Sequence, residues 1–510
     1  MDTNVYVGGR ALKQPHEDLI RTFLSDDLYE NINRFKTILN SSINSDAQFR
    51  IFFLGETKIC VLYIEGLTDD KKISEFVLHA LAVDDLDVPS SVTADYLIQN
   101  IIEIAQCKTE YRTSEILNSV VTGMACVFID GCNDAILMET RGYPARTVGK
   151  TTNESVVIGA QEGFVENLRT NMTLIRRYVP SPHLVTESLT VGTKISSRVT
   201  LVYINGVADE KIVSEARKRL KKIDKPVVQG LGVIQQLIED DPYALLPQLL
   251  QTERPDRAAA CLADGQIVIL ADNSPYALIA PVSIFHQIHA SDDSFMRWQY
   301  GSFLRVIRLL GMLISVFLPG VYIALTSYHM HLIPMNLLTS IAQSRANVPF
   351  PVLIEVLFME FAFYLINEAG TRIPQQIGSA LGIVGALILG QAAVSASIIS
   401  PILIIIIAIS GLGNYVTPNY GFSIGLIFYR LFVIFSGAIM GLYGICLASF
   451  CIAVRICSLK SLGIPYAAPV APSRRHNPDI LLRLPAWLQN RLMFYAQKES
   501  WLSERSEKHT

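Results

Sequence analysis

The chain has 510 residues, of which 50% are hydrophobic and 17% are charged, and its formal net charge is −3. This length exceeds one ordinary domain, and the slightly acidic balance argues against nucleic-acid binding, which needs a clustered basic surface. Charged residues are dense up to Arg297 and sparse from Leu309 to Ile452. The split predicts a polar N-terminal region followed by a membrane domain over residues 300–457.

The N-terminus lacks the basic start and the apolar segment of a secretory signal peptide. We therefore expect the N-terminal region to stay in the cytoplasm, with residues 1–19 as an extension. The eight cysteines show neither a CxxC pair nor a metal-ligand spacing. They predict buried, reduced thiols rather than a disulfide framework or a metal site.

The polar region contains a sequence repeat. The stretch VLYIEGLTDDKKISE starts at Val61, and LVYINGVADEKIVSE starts 140 residues later at Leu201, with seven of fifteen positions identical. Each stretch predicts a β-branched strand that ends at Gly66 or Gly206. An acidic helix start follows in both, and the helix macrodipole favours it there.

A second pair of stretches supports the repeat. ACVFIDG starts at Ala125 and ACLADG starts at Ala260, and both patterns predict a strand that runs into an Asp-Gly turn. We expect two tandem homologous α/β lobes, residues 20–150 and 151–290, built on mixed sheets rather than a fully wound parallel sheet.

The lobes contain no recognisable catalytic motif. We find no GxxxxGK[ST], no GxGxxG after a strand, no GxSxG and no HExxH. His286 and His289 are three positions apart but lack a third ligand nearby, so we interpret them as surface histidines rather than a metal site. The sequence predicts neither an enzyme nor a cofactor.

Residues 159–179 form a separate candidate segment. Phe164, Leu168, Asn171 and Ile175 recur at helical spacing, with acidic residues near the start and arginines near the end. One interpretation is an amphipathic helix packed on its own sheet, which the spacing alone favours. The other is a contact with a neighbouring subunit or the membrane domain. The candidate interface residues are Glu162, Phe164, Glu166, Asn167, Arg169 and Asn171.

The first membrane span is predicted over Leu309–Tyr328, twenty residues without a charge, which matches about 30 Å of hydrocarbon. Arginines just before this span keep the N-terminal region cytoplasmic by the positive-inside rule. Pro319 and Gly320 in its middle predict a kink and a gating hinge.

Three further apolar stretches follow: 350–366, 377–412 and 422–456. The second is longer than one span and is interrupted before Pro401, a further candidate hinge, so it is either a helical hairpin or one span with a half-helix. The third poses the same alternatives. The basic tail, 458–510, belongs inside, which predicts an even number of crossings, four or six, and we favour four.

Charges inside the apolar stretches are the most informative residues. Glu355, Glu360 and Arg430 would each cost roughly 2.5–3.5 kcal/mol at the bilayer centre. Glu360 and Asn367 are seven positions apart and share a helix face, with Glu368 about 100° further round. We weigh two hypotheses equally: a structural Glu–Arg pair that locks two spans, and the lining of an ion pathway.

With these residues in view, the chain resembles the A subunit of the GerA family of spore germinant receptors. The most specific stretch covers residues 349–401, where an EAG-x-R-x-P connector (Glu368, Arg372 and Pro374 among its members) precedes IVGAL-x-x-GQAAV. Other similar motifs are LPGVYIAL, RGYPAR, ERPD and EGF-x-ENLR-x-N. The last match raises the subunit-contact interpretation of that segment to even weight.

The resemblance implies a complex in the spore inner membrane with a transporter-like, nutrient-binding B subunit and a lipoprotein C subunit. It further implies that the A subunit oligomerises and forms or gates a cation pathway. The implied site residues are Glu355, Glu360, Asn367, Glu368, Arg372 and Arg430. The sequence departs from the family pattern at Ala160, Tyr364 and Asn367. The last two changes alter the charge balance beside the second span.

A different class of function remains open at this stage. The chain could be a stand-alone secondary transporter or a lipid or solute carrier, with the lobes as regulators, because broken membrane helices suit that class. The absence of an internal repeat within residues 300–457 argues against it.

Overall fold

The computed structural model of the chain describes residues 6–7, 10–11, 17–81, 92–142, 151, 154, 158–372, 390–472 and 482–485. The strands of the first half are β1 (Tyr6–Val7), β2 (Arg10–Ala11), β3 (Ala47–Leu54), β4 (Thr57–Ile64), β5 (Cys107–Glu110), β6 (Ala125–Ile129) and β7 (Ala135–Met138). Those that follow are β8 (Leu184–Val191), β9 (Ser197–Ile204), β10 (Leu250–Thr252), β11 (Ile267–Ala271), β12 (Ala277–Ala280), β13 (Lys460–Ser461) and β14 (Ile464–Pro465).

Short helices surround these strands. In the first half they are α1 (Glu17–Ile20), α2 (Leu28–Ile38), α3 (Asp70–Ile73), α4 (His79–Leu81), α5 (Ala94–Asn100) and α6 (Thr113–Val121), with a π-helical turn at Ser74–Leu78. In the second half they are α7 (Leu168–Tyr178), α8 (Glu210–Lys221), α9 (Gly230–Ile238), α10 (Pro255–Ala263), α11 (Ile284–Ile288) and α12 (Asp292–Phe295).

The C-terminal part is helical. Its long helices are α13 (Trp298–Ser327), α14 (Met335–Arg345), α15 (Val352–Arg372), α16 (Pro401–Tyr415) and α17 (Tyr420–Ser458), with a 3₁₀ turn at Met330–Leu332. Helices α13 and α17 are long and apolar enough to cross a membrane, judged by length and composition. The expected break before Pro401 coincides with the start of α16, whereas the stretch before it lies largely outside the described residues.

Two five-stranded sheets have the same strand order. The first runs β3-β4-β6-β7-β5, and the second runs β8-β9-β11-β12-β10. Every pairing in both sheets is antiparallel, so the expectation of mixed sheets is wrong. Short turns explain the difference, because β3 and β4 are joined by two residues and a two-residue connection can only make an antiparallel hairpin.

The sequence prediction for ACLADG is also wrong. Ala260 lies in helix α10, which begins at Pro255 and ends at the C-cap Asp264, and the strand β11 follows at Ile267. Proline at the first helical position and a run of alanines favour the helix. ACVFIDG does contain the predicted strand, β6.

Local hydrogen bonds recur at the 140-residue spacing. The Asn31 side chain accepts from the Ser25 backbone N–H (3.0 Å) and donates to the Ser25 carbonyl (2.6 Å). The Asn171 side chain makes the same two bonds to Val165 (2.8 and 2.6 Å). Each asparagine therefore ties the chain entering its helix to the second turn of that helix.

The second sheet and the long helices share one hydrophobic core. Leu250 and Leu270 of the sheet belong to the same buried cluster as Val316 of α13 and Phe422 and Val433 of α17. The first sheet has separate clusters on its two faces. The second sheet is thus joined to the helical part by packing, while the first sheet contacts the second through a polar joint described below.

Candidate functional site

Helix α17 reverses direction at Gly441. The backbone of Gly441 is non-helical (φ 59°, ψ −139°). Gly425 packs against the carbonyl of Leu245, while Arg455 forms an ion pair with Asp241, only four residues away. A straight helix would separate Gly425 from Arg455 by about 45 Å. Helix α17 is therefore a hairpin whose two ends meet the second sheet's side of the molecule.

Tyr328, at the end of α13, stabilises the turn of this hairpin. Its hydroxyl lies 2.6 Å from the carbonyl oxygen of Ala438 and 3.1 Å from that of Ile439. These are carbonyls that the interruption of the helix at Gly441 leaves without intrahelical partners. The C-terminal end of α13 is thereby held to the turn of the α17 hairpin.

Close approach of α13 to α17 depends on two glycines. A Cβ atom at Gly320 would lie 2.7 Å from Cγ1 and 2.9 Å from the carbonyl oxygen of Val433. A Cβ atom at Gly437 would lie 2.8 Å from the carbonyl oxygen of Gly320. Such small-residue contacts are typical of helix packing in membranes. Gly320 has this packing role, and its role as a hinge stays a prediction.

The helix continues through Pro319, where the sequence predicts a kink. Proline lacks the N–H that would bond the carbonyl of Ser315 four residues earlier. The hydroxyl of Ser410 on α16 donates to that carbonyl instead, at 3.0 Å. A side chain of a neighbouring helix therefore replaces the hydrogen bond that the proline removes.

Glu360 and Arg430 meet at the centre of the helical part. The Arg430 Nη1 donates to both carboxylate oxygens of Glu360, at 3.1 and 3.3 Å. The Nη2 donates to the hydroxyl of Ser315, at 2.5 Å. Glu360 is 1% exposed and Arg430 is 0% exposed. The site is thus a buried, charge-paired contact among α13, α15 and α17.

Glu355 lies in a second, separate polar contact. Arg345 of α14 pairs with its Oε1 at 3.2 Å, and its Oε2 accepts from the backbone N–H of Ser400 at 3.3 Å. Glu355 is 2% exposed, whereas the Arg345 side chain is partly exposed. The contact joins α14 and α15 to the start of α16.

The remaining predicted pathway residues lie at the other end of α15. Asn367 accepts a hydrogen bond from the Tyr415 hydroxyl at 2.8 Å, and Glu368 is exposed. Arg372 is the last residue of α15, and its side chain lies outside the described part of the chain. Asn367 and Glu360 do not contact each other, so the predicted pathway residues are spread along the helix.

The candidate interface segment is not one helix. Helix α7 begins only at Leu168, because Asn167 caps it by accepting from the N–H of Arg169 (2.9 Å) and of Thr170 (3.2 Å). Phe164 is buried before the helix. Phe164, which the helical spacing includes, therefore lies one turn before the helix.

Most of the candidate interface residues contact their own chain. Asn171 is fully buried in the clamp described above, Glu162 pairs with Arg177, and Arg169 pairs with Glu65. Glu166 and Asn167 are exposed. A contact with another subunit stays a prediction, and it is restricted to the exposed side chains.

A buried ion pair joins the two sheets. Arg176 of α7 binds Asp46, which precedes β3, through its Nε and through its Nη2 at 2.7 Å. Asn44 accepts from Arg176 at 3.2 Å and from the Thr186 hydroxyl at 2.7 Å. Arg176 is 2% exposed and Asp46 is 3% exposed. Local sequence patterns could not predict this joint, because 130 residues separate its two charges.

His286 is partly buried rather than on the surface as predicted. Its Nδ1 lies 2.9 Å from the Ser283 hydroxyl at the start of α11. Burial, together with the positive charges of Arg257 and Arg305, lowers the pKa of His286 to about 4. Among the described residues, no group of three or more His, Cys, Asp or Glu side chains is placed to hold a metal ion.

A buried aspartate also fixes the start of α13 to the preceding short helix. Asp293 of α12 is 1% exposed and pairs with Arg308 at 2.7 Å and with Arg305 at 3.3 Å. Arg305 and Arg308 precede the apolar part of α13. Helix α12 is therefore held against the start of α13.

Comparison with known proteins decides the family. The family model described as "Bacillus/Clostridium GerA spore germination protein" matches residues 33–493. The chain belongs to the GerA family. Spore germination protein KA of Bacillus subtilis (strain 168) is 35% identical over 480 residues, which cover 93% of this chain and 88% of that protein. The membrane protein YfkQ of the same organism is 35% identical over 474 residues, with 92% and 91% covered.

A solved structure also matches the GerA-family chain. The crystal structure of the N-terminal domain of the A subunit of the Bacillus megaterium spore germinant receptor GerK3 is 29% identical and covers 51% of this chain and 96% of that one, with a TM-score of 0.40. Family membership gives the chain a role in spore germination. The relatives and the two apolar helices indicate association with a membrane.

Proposed function

We propose that the chain is the A subunit of a nutrient germinant receptor in the spore inner membrane and that it converts nutrient sensing into ion release. Membership of the GerA family supports a role in spore germination. The buried Glu360–Arg430 pair carries the proposed mechanism, because paired charges inside apolar helices are retained at such a cost mainly where ions or gating require them.

Within the described residues, α13, α15, α16 and the two arms of α17 would supply the membrane crossings. Helix α13 runs alongside the first arm of α17 in the same direction, since Ser315 meets Arg430 and Tyr328 meets Ala438. Helices α15 and α16 both run the opposite way. The second arm of α17 would add the last crossing, and an even total of crossings stays the prediction from the sequence.

The proposed topology places both sheets and the tail in the cytoplasm. The two sheets would be tandem homologous lobes, approximately 20–150 and 151–290, and their shared strand order supports duplication. The arginines Arg305 and Arg308 at the start of α13 support a cytoplasmic face on that side, by the positive-inside rule.

Gating would use the packed contacts around Arg430. A ligand can shift a two-state equilibrium only through different affinities for the two states. We propose that nutrient binding in the receptor alters the packing of α13 against α17, which loosens the Glu360–Arg430 contact and opens a cation pathway within or between copies of the chain. The proposed partners are a transporter-like B subunit that binds the nutrient and a lipoprotein C subunit.

Reconstitution of the purified receptor complex in potassium-loaded liposomes tests this function. We expect nutrient to trigger potassium efflux with all three subunits present. Efflux that does not respond to nutrient would contradict the proposal. Saturable solute uptake by the isolated chain would favour the carrier hypothesis instead.

A further inference from the structure

The groove between α7 and β8 in the second sheet is filled by a turn of the first half. Asp46 binds Arg176 of α7, and the backbone N–H of Ser45 donates to the carbonyl of Thr186 in β8 at 3.2 Å. The hydroxyls of Ser45 and Ser188 lie 2.9 Å apart. One carboxylate and a short polar turn thus occupy this groove.

The groove between α2 and β3 is its counterpart in the first sheet. Phe49 pairs with Leu62 just as Thr186 pairs with Val202, and Leu62 and Val202 are 140 residues apart. By the same spacing, Lys36 of α2 corresponds to Arg176. Lys36 is therefore the cation of the first groove that corresponds to Arg176, the residue to which Asp46 binds in the second groove.

The edge-strand side chains that line the first groove are apolar, whereas those at the equivalent positions of the second groove are polar. Ile51 and Phe53 stand where the second groove has Ser188 and Thr190, and they are 44% and 66% exposed. Tyr29, on α2, is 49% exposed. Lys36 lies over the ring of Phe49, and Lys58 lies over that of Tyr29.

Strand β3 is also an edge strand of the first sheet. The unpaired backbone groups of an exposed apolar edge strand can pair with another chain, and most proteins prevent this by covering the edge or placing charges on it. In the second sheet, the equivalent edge is protected by the turn at Ser45. Exposed phenylalanine and isoleucine side chains on an open edge are typical of a surface that a partner covers.

We propose that the α2–β3 groove, formed by Tyr29, Lys36, Phe49, Ile51 and Phe53, is a docking site for a turn of another polypeptide. The turn would carry a carboxylate for Lys36, as Asp46 does for Arg176, and apolar side chains for Ile51 and Phe53. This inference is independent of the ion pathway proposed above.

The equivalent turn of a second copy of the chain does not fit the groove. The residue that corresponds to Asp46 is His183, since each immediately precedes its edge strand and accepts a backbone hydrogen bond from a residue of equivalent position, Glu65 or Asn205. His183 is 5% exposed. It offers neither a carboxylate nor an accessible surface, so this turn cannot fill the groove, and the partner that we propose is a different protein.

Photocrosslinking in the intact membrane tests the proposal. A benzophenone amino acid replaces Ile51 in the full-length chain, and Tyr243, which is 89% exposed on the second half, serves as the matched exposed position. We expect the Ile51 probe to attach to one peptide of another protein that contains Asp or Glu flanked by apolar residues. The crosslinked peptide is identified by mass spectrometry.

The dependence of the crosslinking yield on Lys36 distinguishes a specific contact from nonspecific apolar binding. Lys36→Glu should lower the crosslinking yield at least about fivefold, the factor expected for loss of about 1 kcal/mol, and Lys36→Arg should retain it. Lys36 is exposed, so neither change should disturb folding. A yield no higher than at Tyr243, attachment to lipid or to a second copy, or insensitivity to Lys36→Glu would overturn the proposal.

Discussion

Arg430 and Glu360, seventy residues apart in the chain, form an ion pair that no solvent reaches, and the same guanidinium also binds Ser315. The contact ties together three apolar helices at one point. Buried pairs of this kind add little stability over a well-packed apolar core, but removing one partner is costly, because the other charge is left buried and unpaired.

The hydrogen bond from Ser410 to the Ser315 carbonyl should be needed only because Pro319 is present. We expect Ser410→Ala to lower stability by about 1–3 kcal/mol, the usual cost of an unsatisfied buried group. Adding Pro319→Ala should restore most of this loss, since alanine supplies the missing N–H. Thermal unfolding of detergent-purified receptor measures both effects.

Ser449→Ala is the control for that experiment, because Ser449 donates within its own helix to the carbonyl of Ile445. It should change the unfolding temperature little. An equal loss from Ser449→Ala and Ser410→Ala, or no rescue by Pro319→Ala, would contradict the proposed replacement of the hydrogen bond.

The contact of Gly320 with Gly437 should tolerate no added methyl group. A Cβ at either position would approach a backbone carbonyl to less than 3.0 Å, and overpacking of this kind costs about 1–3 kcal/mol. We expect Gly320→Ala and Gly437→Ala to reduce receptor abundance on immunoblots. Gly370→Ala, with none of the described residues within 4 Å of the added Cβ, should leave abundance unchanged or slightly raised. A similar fall in all three variants would argue against the packing account.

The buried joint between the two sheets requires arginine rather than any cation. Arg176 donates from Nε and Nη2 to Asp46 and also to Asn44, which a lysine cannot reproduce. Arg176→Lys should destabilise the joint by about 1–3 kcal/mol and speed hydrogen exchange at Ser45 in the full-length chain. Arg198→Lys, in an exposed pair with Asp272, is the control, and equal exchange in both variants would contradict the prediction.

Acidification should weaken the region around His286. Its pKa falls from 6.5 to about 4 in the folded chain, so the unfolded chain binds more protons between these values and stability is lost as the pH falls through this window. We expect a loss of roughly 2 kcal/mol between pH 6.5 and 4. His286→Gln should show a flatter pH dependence of unfolding, and an unchanged slope would contradict this assignment.

Local patterns predicted much of the architecture. The repeat at Val61 and Leu201 lies in β4 and β9, which occupy the same place in the two sheets, and α13 and α17 contain the predicted apolar stretches. Contacts distant in sequence could not be predicted. Nothing near Arg176 indicates Asp46, and nothing near Arg430 indicates which glutamate it meets.

One difference has a clear physical origin. The helical spacing includes Phe164, but helix α7 begins at Leu168, because the side chain of Asn171 is used to hold the preceding loop and Asn167 caps the helix. The reversal at Gly441 corresponds to the helical hairpin, one of the two alternatives left open for residues 422–456, but the sequence did not locate its turn. The kink expected at Pro319 stays a prediction.

The most direct test of the ion-release account compares potassium release from spores that carry Glu360→Leu with Arg430→Met and spores that carry Ser449→Ala. The apolar pair avoids an unpaired buried charge and should keep the receptor near normal abundance, and Ser449→Ala removes a hydroxyl that donates within its own helix. We predict slowed or spontaneous release in the first and normal nutrient-triggered release in the second. Normal release by the apolar pair at normal abundance would make the Glu360–Arg430 contact structural and contradict its role in gating.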